Sequence, residues 1–330
     1  MVGIKDVALK ANVSVATVSR VIANKPYVTS EKREIVQRAI KELNYRPNRI
    51  ARSLRAKSSN IIGLIVADIQ NPFFHSISRA VEDSAYKQGY SVILCNADEN
   101  YDKEKSYIEL LIDENACGII ISPTARATEE LDWEYAKQIP MVAIDRRIDT
   151  FDFDTICINN LESAKRITKH LASHGKRRIA GLFGIGSTTG SQRRKGFISA
   201  LKECSLPVDN SIIKYVNANK EDGYRVAKSI LKMANPPDAM LTTNGLLAVG
   251  ALQAISDSNK NIPDDIAFAS FDETPWTTIL KPSITVVKQP THEIGKLATE
   301  LLIQRVKKHQ IPRREIILNT EIIYRHSCGC

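Results

Sequence analysis

The sequence predicts an α/β protein: a small, basic, all-helical head, then a body of two lobes, each a parallel sheet with helices on both faces. Three observations carry this. The 330 residues have a net charge of +9, yet residues 1–60 hold 13 Lys+Arg against 4 Asp+Glu while the remainder holds 33 of each. The whole excess therefore lies in the head, as in a separate polyanion-binding module. Second, the head has helical periodicity and helix-capping residues. Third, from residue 61 onward short apolar runs alternate with amphipathic segments, strand then helix, in two successive series. A hydrophobic content of 43% and a charged content of 25% exclude disorder as the dominant state. No apolar run reaches the ~18 residues of a membrane span. Met1–Lys10 has no apolar core of a secretory signal, which predicts a cytoplasmic protein with no membrane partner.

In the head, Ile4, Val7, Ala8 and Ala11 recur at i, i+3, i+4, i+7, which predicts a short helix. Asn12-Val13 makes a turn, and Ser14 caps a second helix over Val15–Ala23 with Val18, Val21 and Ile22 inward. Thr29 caps a third, with Ile35, Val36, Ala39, Ile40 and Leu43 as its buried stripe. The first two form a helix-turn-helix, whose second helix belongs in the major groove of double-stranded DNA. Ser14, Val15, Ala16 and Thr17 would face base edges, and Lys5, Ser19 and Arg20 would reach phosphates or bases. Val15 and Ala16 have no hydrogen-bonding side chain and can read only by apolar contact, for example with a thymine methyl. The plainer reading, a solvated basic arm, requires a segment without hydrophobic pattern.

Residues 47–60 follow as a hinge. Pro47 ends the third helix and can open a fourth, in which Arg46, Arg49, Arg52 and Arg55 recur every third residue. Asn48–Ala56 is too short to be stable alone and would fold on DNA. Leu54 has little core to join and suits a wedge into a minor-groove step. A plain basic linker is the alternative.

Ile4-Lys5-Asp6-Val7-Ala8, Val13–Val21, Leu43-Asn44-Tyr45-Arg46-Pro47-Asn48 and Ala51-Arg52-Ser53-Leu54 closely resemble the headpiece and hinge of the lac repressor family. That resemblance implies a DNA-binding headpiece over 1–46, with Tyr45, Asn48, Ala51, Leu54 and Arg55 joining the DNA contacts. One departure is Ala23-Asn24, where the family often has Asn directly after the Arg-Val-hydrophobic run.

The body reads as strands at Ile61–Val66, Tyr90–Cys95, Gly118–Ile121 and Met141–Ile144, with helices at Phe74–Gln88 and Lys103–Asp113. The second series has strands at Arg178–Phe183, Ile212–Val216, Ala239–Thr243 and Ile266–Phe271. Its helices are Ser163–His174, Gln192–Cys204, Asp222–Ala234 and Leu246–Ser256, with Thr291–Lys308 as a long final helix. Two such lobes would bind a small ligand in a cleft at strand C-terminal ends. The body resembles the periplasmic-binding-protein-like core of the same family. The resemblance implies an effector-binding and dimerisation core over 61–330, with interleaved lobes: about 61–159 and 290–319 in one, about 160–289 and 320–330 in the other.

It also implies effector contacts. Arg193, in Ser191–Phe197, corresponds to the family's arginine for effector hydroxyls or carboxylates, and Asp272 to its acidic contact. Asn244 stands in Asn244-Gly245 where the family often has Asn-Asp. Phe73 and Phe74 match positions that wall the ligand. Asp145 and Arg146 end a strand on the same cleft, and Trp276 could stack on a sugar face. For Phe73, Phe74 and Trp276, plain core packing is an equal reading. Arg146 could instead be a solvated surface pair.

Arg146 and Arg193, with Gly245 in place of an acid, tilt the expected cleft positive and predict an anionic effector, a sugar acid or sugar phosphate. Cys95-Asn96-Ala97-Asp98 and Glu104–Leu111 resemble regulators of sugar-acid (ketodeoxygluconate-type) use. A purine- or other metabolite-responsive regulator is the alternative.

The expected function is a dimeric, effector-controlled repressor on a palindromic operator. The absence of a leucine heptad tail after Tyr324 predicts no tetramer. An enzyme is disfavoured. Gly184–Gly190 has the spacing GxGxxxG rather than the dinucleotide GxGxxG, no phosphate-binding lysine loop is present, and no catalytic set stands out. No cofactor is expected. The six cysteines show no CxxC pair and no zinc spacing with histidine, so free thiols and no metal are expected.

Overall fold

A computed structural model describes residues 2–22, 25–45, 59–124, 138–147, 153–308 and 312–330. The chain divides into two compact units, residues 1–59 and 60–330.

In the first unit, α1 (Ile4–Lys10), α2 (Val15–Ile22) and α3 (Ser30–Glu42) surround one small core. Val7, Val18 and Val36, one from each helix, are fully buried in it. Asn12, at φ 49°, makes the turn between α1 and α2. Ser14 Oγ then accepts from the Thr17 amide at 3.2 Å, the expected helix cap. Thr29 accepts from the Lys32 amide in the same way. The hinge, with Asn48, Ala51, Leu54 and Arg55, lies outside the described residues.

The second unit contains two six-stranded sheets. The first comprises β1 (Ile61–Val66), β2 (Ser91–Asn96), β3 (Gly118–Ile121), β4 (Met141–Ile144), β5 (Asp154–Ile158) and β11 (Glu315–Leu318), in the order β11-β5-β4-β3-β1-β2. The second comprises β6 (Ile179–Gly184), β7 (Ile213–Val216), β8 (Ala239–Thr242), β9 (Ala267–Phe271), β10 (Thr285–Lys288) and β12 (Glu321–Ile323), in the order β12-β10-β9-β8-β6-β7. All pairs are parallel except β10 with β12. The two orders are the same when β1–β5 are matched to β6–β10. The chain passes between sheets three times: after β5, after β10 and after β11.

Helices in chain order are α4 (Pro72–Lys87), α5 (Tyr101–Asp113), α6 (Asn160–Ser173), α7 (Thr188–Glu203), α8 (Lys220–Leu231), α9 (Gly245–Ser256), α10 (Pro275–Ile279) and α11 (Thr291–Lys307). Helix α11 packs against α4 and on β3–β5, so it serves the first sheet although it follows β10.

Several elements begin earlier than the apolar pattern indicates. Helices α6 and α7 start at Asn160 and Thr188, not Ser163 and Gln192, because Asn159 and Ser187 cap them one turn upstream. Strands β5, β10, β11 and β12 were not predicted. β5 opens on the charged but fully buried Asp154, which Arg305 pairs, and β11 (Glu315-Ile316-Ile317-Leu318) is only four residues long and nowhere fully buried.

Candidate functional site

Between the sheets of the second unit lies a cavity of about 890 Å³. It is lined by the C-terminal ends of strands and the N-terminal ends of helices, as expected for a ligand crevice in open α/β sheets. Phe73, Phe74, Asp145, Arg146, Arg193, Asn244 and Asp272 all line it. Trp276 is not among the lining residues. Pro275 opens the short helix α10, which turns the chain away, and Trp276 packs against the core instead.

Asn71 caps α4 by accepting from the Phe73 amide at 3.1 Å, and Pro72 occupies the first turn. This fixes Phe73 and Phe74 as an edge-to-face pair with centroids 5.1 Å apart. They form the apolar wall of the cavity and are themselves nearly buried.

Asp145 and Asp272 sit at matching places. Each directly follows a strand, β4 or β9, with positive φ (64° and 76°). Each backbone amide donates to the neighbouring strand, Asp145 to Ile156 O and Asp272 to Val287 O, both at 3.0 Å. The left-handed turn aims both carboxylates into the cavity, a conformation costly for residues other than glycine and tolerated best by Asp and Asn. Burial raises the pKa of both carboxyls, and Arg193 opposes the rise at each. Asp272 also accepts from the Gly245 amide at 3.3 Å and from Gln289 Nε2 at 2.6 Å.

Arg193 projects from the first turns of α7. Its Nε donates to Asn160 Oδ1 at 2.7 Å and its Nη1 to the Thr243 carbonyl at 2.5 Å. The guanidinium stacks over Phe271 with its central carbon 4.2 Å from the ring centroid. Burial lowers its pKa, with Asp272 and Asp145 opposing. Among the described residues, no protein group pairs with its Nη2.

Arg146 is not a solvated surface pair: it is 7% exposed. Both terminal nitrogens donate to the Glu99 carboxylate, and Nη1 also donates to the Pro123 carbonyl at 3.0 Å. Burial works against its charge, but Glu99 outweighs that and holds the guanidinium above its ordinary pKa. Behind this pair, Glu104 accepts from the Thr124 amide at 2.6 Å, and burial pushes its carboxyl up to about 7.

The expectation of a positive cleft fails. Among the described residues, the lining holds six carboxylates (Asp68, Asp98, Glu99, Asp145, Glu221, Asp272) against three cations (Arg146, Arg193, Lys220). Gln289, Glu99 and Asn160 were not identified as site residues from the sequence. Gln289 ends no recognisable motif, and Asn160 reaches the site only because α6 starts at it.

The glycine loop before α7 is explained by packing. A Cβ on Gly190 would lie 2.1 Å from the Gly184 carbonyl oxygen, so the helix can rest on the strand end only without one. Asn244 caps α9, its Oδ1 accepting from the Leu247 amide at 2.7 Å while Nδ2 donates to the Ala218 carbonyl.

In the first unit, Lys5, Ser14, Ala16 and Arg20 are exposed, and Val15, Thr17 and Ser19 are partly so. Tyr45 is partly buried against the head's core.

Residues 59–325 match the family described as periplasmic binding proteins and the sugar binding domain of the LacI family, and residues 3–48 match the bacterial regulatory proteins of the lacI family. The chain belongs to the lacI family. It is 36% identical to the ribose operon repressor of Halalkalibacterium halodurans over 99% of this chain and 97% of that one. It is 33% identical to the transcriptional repressor PurR of Pasteurella multocida over 99% and 98% of the respective chains. Among solved structures, the lac repressor dimer bound to operator and the anti-inducer ONPF is similar with a TM-score of 0.86 and 25% identity, covering 99% of both chains. As a lacI-family protein the chain is a transcriptional repressor whose DNA binding is controlled by a sugar or metabolite effector, and it is not an enzyme. Among the described residues, no helix is long and apolar enough to cross a membrane.

Proposed function

We propose that this repressor senses a neutral sugar of the ribose class. The observation that carries the reading is the charge of the cavity's described lining: six carboxylates against three cations, with Arg146 already committed to Glu99. An added carboxylate or phosphate would meet an excess of its own sign. Sugar hydroxyls fit better, because they donate to Asp145 and Asp272 and accept from Arg193. The Phe73–Phe74 wall suits the apolar face of a sugar ring. The similarity to a ribose operon repressor supports the same class.

Effector binding would shift the population between DNA-competent and DNA-incompetent states, worth about 1–3 kcal/mol of coupling. The headpiece reads one half of a palindromic operator through Lys5, Ser14, Val15, Ala16, Thr17, Ser19 and Arg20, with the hinge joining on DNA. A dimer formed through the first lobe brings two headpieces together. In support, Ile93 and Leu94 of the edge strand β2 and Leu110 of α5 are exposed. Binding to operator DNA would keep the protein in the cytoplasm, at the bacterial nucleoid.

The test is a titration calorimetry series with ribose, ribonate, ribose 5-phosphate and hypoxanthine. Saturable binding of ribose or another neutral sugar with no heat from the anions is the expected result. Binding of an anion or the purine alone would overturn the sugar reading.

A further inference from the structure

Cys328 and Cys330 lie more than 150 residues from His170 and His174, yet the fold brings the ligand atoms of His170, Cys328 and Cys330 within 4.8 Å of one another, with His174 joining through Cys330. His170 lies in the last turn of α6 and His174 is its C-cap, with ring centroids 4.4 Å apart. The two cysteines flank Gly329 at the end of a 3₁₀ turn (His326–Cys328). Ser327 anchors that turn by donating to the Phe268 carbonyl at 2.6 Å and accepting from the Thr285 amide at 2.8 Å.

His170 Nε2 is 3.2 Å from Cys328 Sγ and 3.3 Å from Cys330 Sγ. His174 Nε2 is 3.4 Å from Cys330 Sγ. The sulfurs are 2.7 Å apart. Four donors around a tetrahedral zinc, with Zn–N about 2.0 Å and Zn–S about 2.3 Å, stand roughly 3.3–3.8 Å from one another. The three nitrogen–sulfur separations already have this size, and the sulfur pair must widen by about 1 Å to match it. Cys330 is exposed and follows a glycine at φ 90°, so it is placed to make that adjustment.

A further feature fits a metal. The other ring nitrogen of His174, Nδ1, donates to the His170 carbonyl at 3.0 Å, the kind of outer bond that fixes a ligating imidazole's tautomer.

We propose that His170, His174, Cys328 and Cys330 form a Cys₂His₂ site for a thiophilic divalent cation, zinc(II) by preference, that ties the segment after β12 to the end of α6. Sequence spacing did not reveal it because the two pairs belong to distant segments, and C-x-C is shorter than the usual zinc spacing. The expected absence of a metal is thereby revised. Each thiol releases its proton on binding, so uptake of the ion acidifies the medium.

The test uses the full-length, fully reduced, metal-free protein titrated with cobalt(II), followed by displacement with zinc(II). One equivalent of cobalt per chain with thiolate charge-transfer and tetrahedral d–d absorption is expected, abolished by zinc. Cys330→Ser and His174→Ala leave the core intact and should each weaken binding by more than the roughly 10–100-fold that losing an outer-shell partner costs. Cys95→Ser should bind as the parent does. No tetrahedral cobalt spectrum, or one that persists undiminished in both ligand variants, would overturn the site.

Discussion

Gln289 donates its amide to Asp272 Oδ1 at 2.6 Å, and its own Oε1 has no protein partner among the described residues. Because Asp272 can only accept when ionised, this contact fixes the amide's orientation and leaves a buried acceptor beside the carboxylate. Gln289→Leu keeps the volume and removes the donor. It should lower stability by about 1–3 kcal/mol and reduce sugar affinity at least tenfold. Urea denaturation and calorimetry check the two effects, and an unchanged affinity would remove Gln289 from the site.

Gly190→Ala tests how Arg193 is held. The added methyl meets the Gly184 carbonyl, so α7 must move outward and carry Arg193 with it. Loss of about 1–3 kcal/mol of stability, together with weaker sugar binding, is the expected outcome of such overpacking. A variant with parental melting temperature and affinity would show that the contact is not what positions the helix.

The pH dependence of stability should carry the signature of Glu104. Its carboxyl has a folded pKa of about 7 against 4.5 unfolded. Between those values the unfolded chain holds fewer protons than the folded one, so stability falls as pH rises from 4.5 to about 7. Asp145 and Asp272, also raised, slope the same way. Glu104→Gln should flatten the curve by a few kcal/mol across that window. Melting temperatures of both proteins over the range provide the comparison, and parallel curves would exclude this residue as the source.

Much of this arrangement is legible in the sequence because local chemistry signals it. Strand β1 is an unbroken apolar run, Thr29 and Ser14 are recognisable caps, and Asp145, Arg193 and Asp272 stand at the edges of predicted elements. What is hidden depends on tertiary context. The charge balance of the cavity includes Asp68, Asp98 and Glu221, which mark no motif, and Arg146 is neutralised by Glu99 from a different loop. For Trp276 the structure favours core packing over ring stacking, because nearness to Asp272 in sequence says nothing about the direction α10 takes. Strands β11 and β12 are apolar but only four and three residues long, too short for a pattern to announce them, and each is defined by its pairing with β5 or β10.

Association should depend on the exposed edge of the first sheet. Leu94 and Leu110 are each 46% exposed. Leu94→Asp places a charge at the centre of that apolar patch without entering the core. If the proposed dimer forms there, sedimentation should show a dimeric parent and a monomeric variant at micromolar concentrations. Operator affinity should fall as dimerisation is lost, while effector affinity stays the same. Dimers that persist in the variant would move the interface elsewhere.

Ser14 serves the head twice, capping α2 and bonding the Thr17 hydroxyl at 2.9 Å. Ser14→Ala should cost the head about 1 kcal/mol and weaken operator binding with no change in sugar affinity. Residues 1–59 and 60–330 form separate compact units, so two resolved calorimetric transitions, only the head's shifted, would be the diagnostic result. A shift in the transition of the larger unit would contradict it.

The equivalence of Asp145 and Asp272 has a consequence for selectivity. The same turn, after corresponding strands of two sheets with the same strand order, presents the same acceptor from both sheets. On the proposed reading, recognition would be audited from both sides. For the proposed sugar effector, an analogue lacking a hydroxyl on one edge would remove a donor from Asp145 or from Asp272, and Asp272 would keep only Gln289 and the Gly245 amide. Deoxy sugars would then be disfavoured at either wall, by omission rather than by collision.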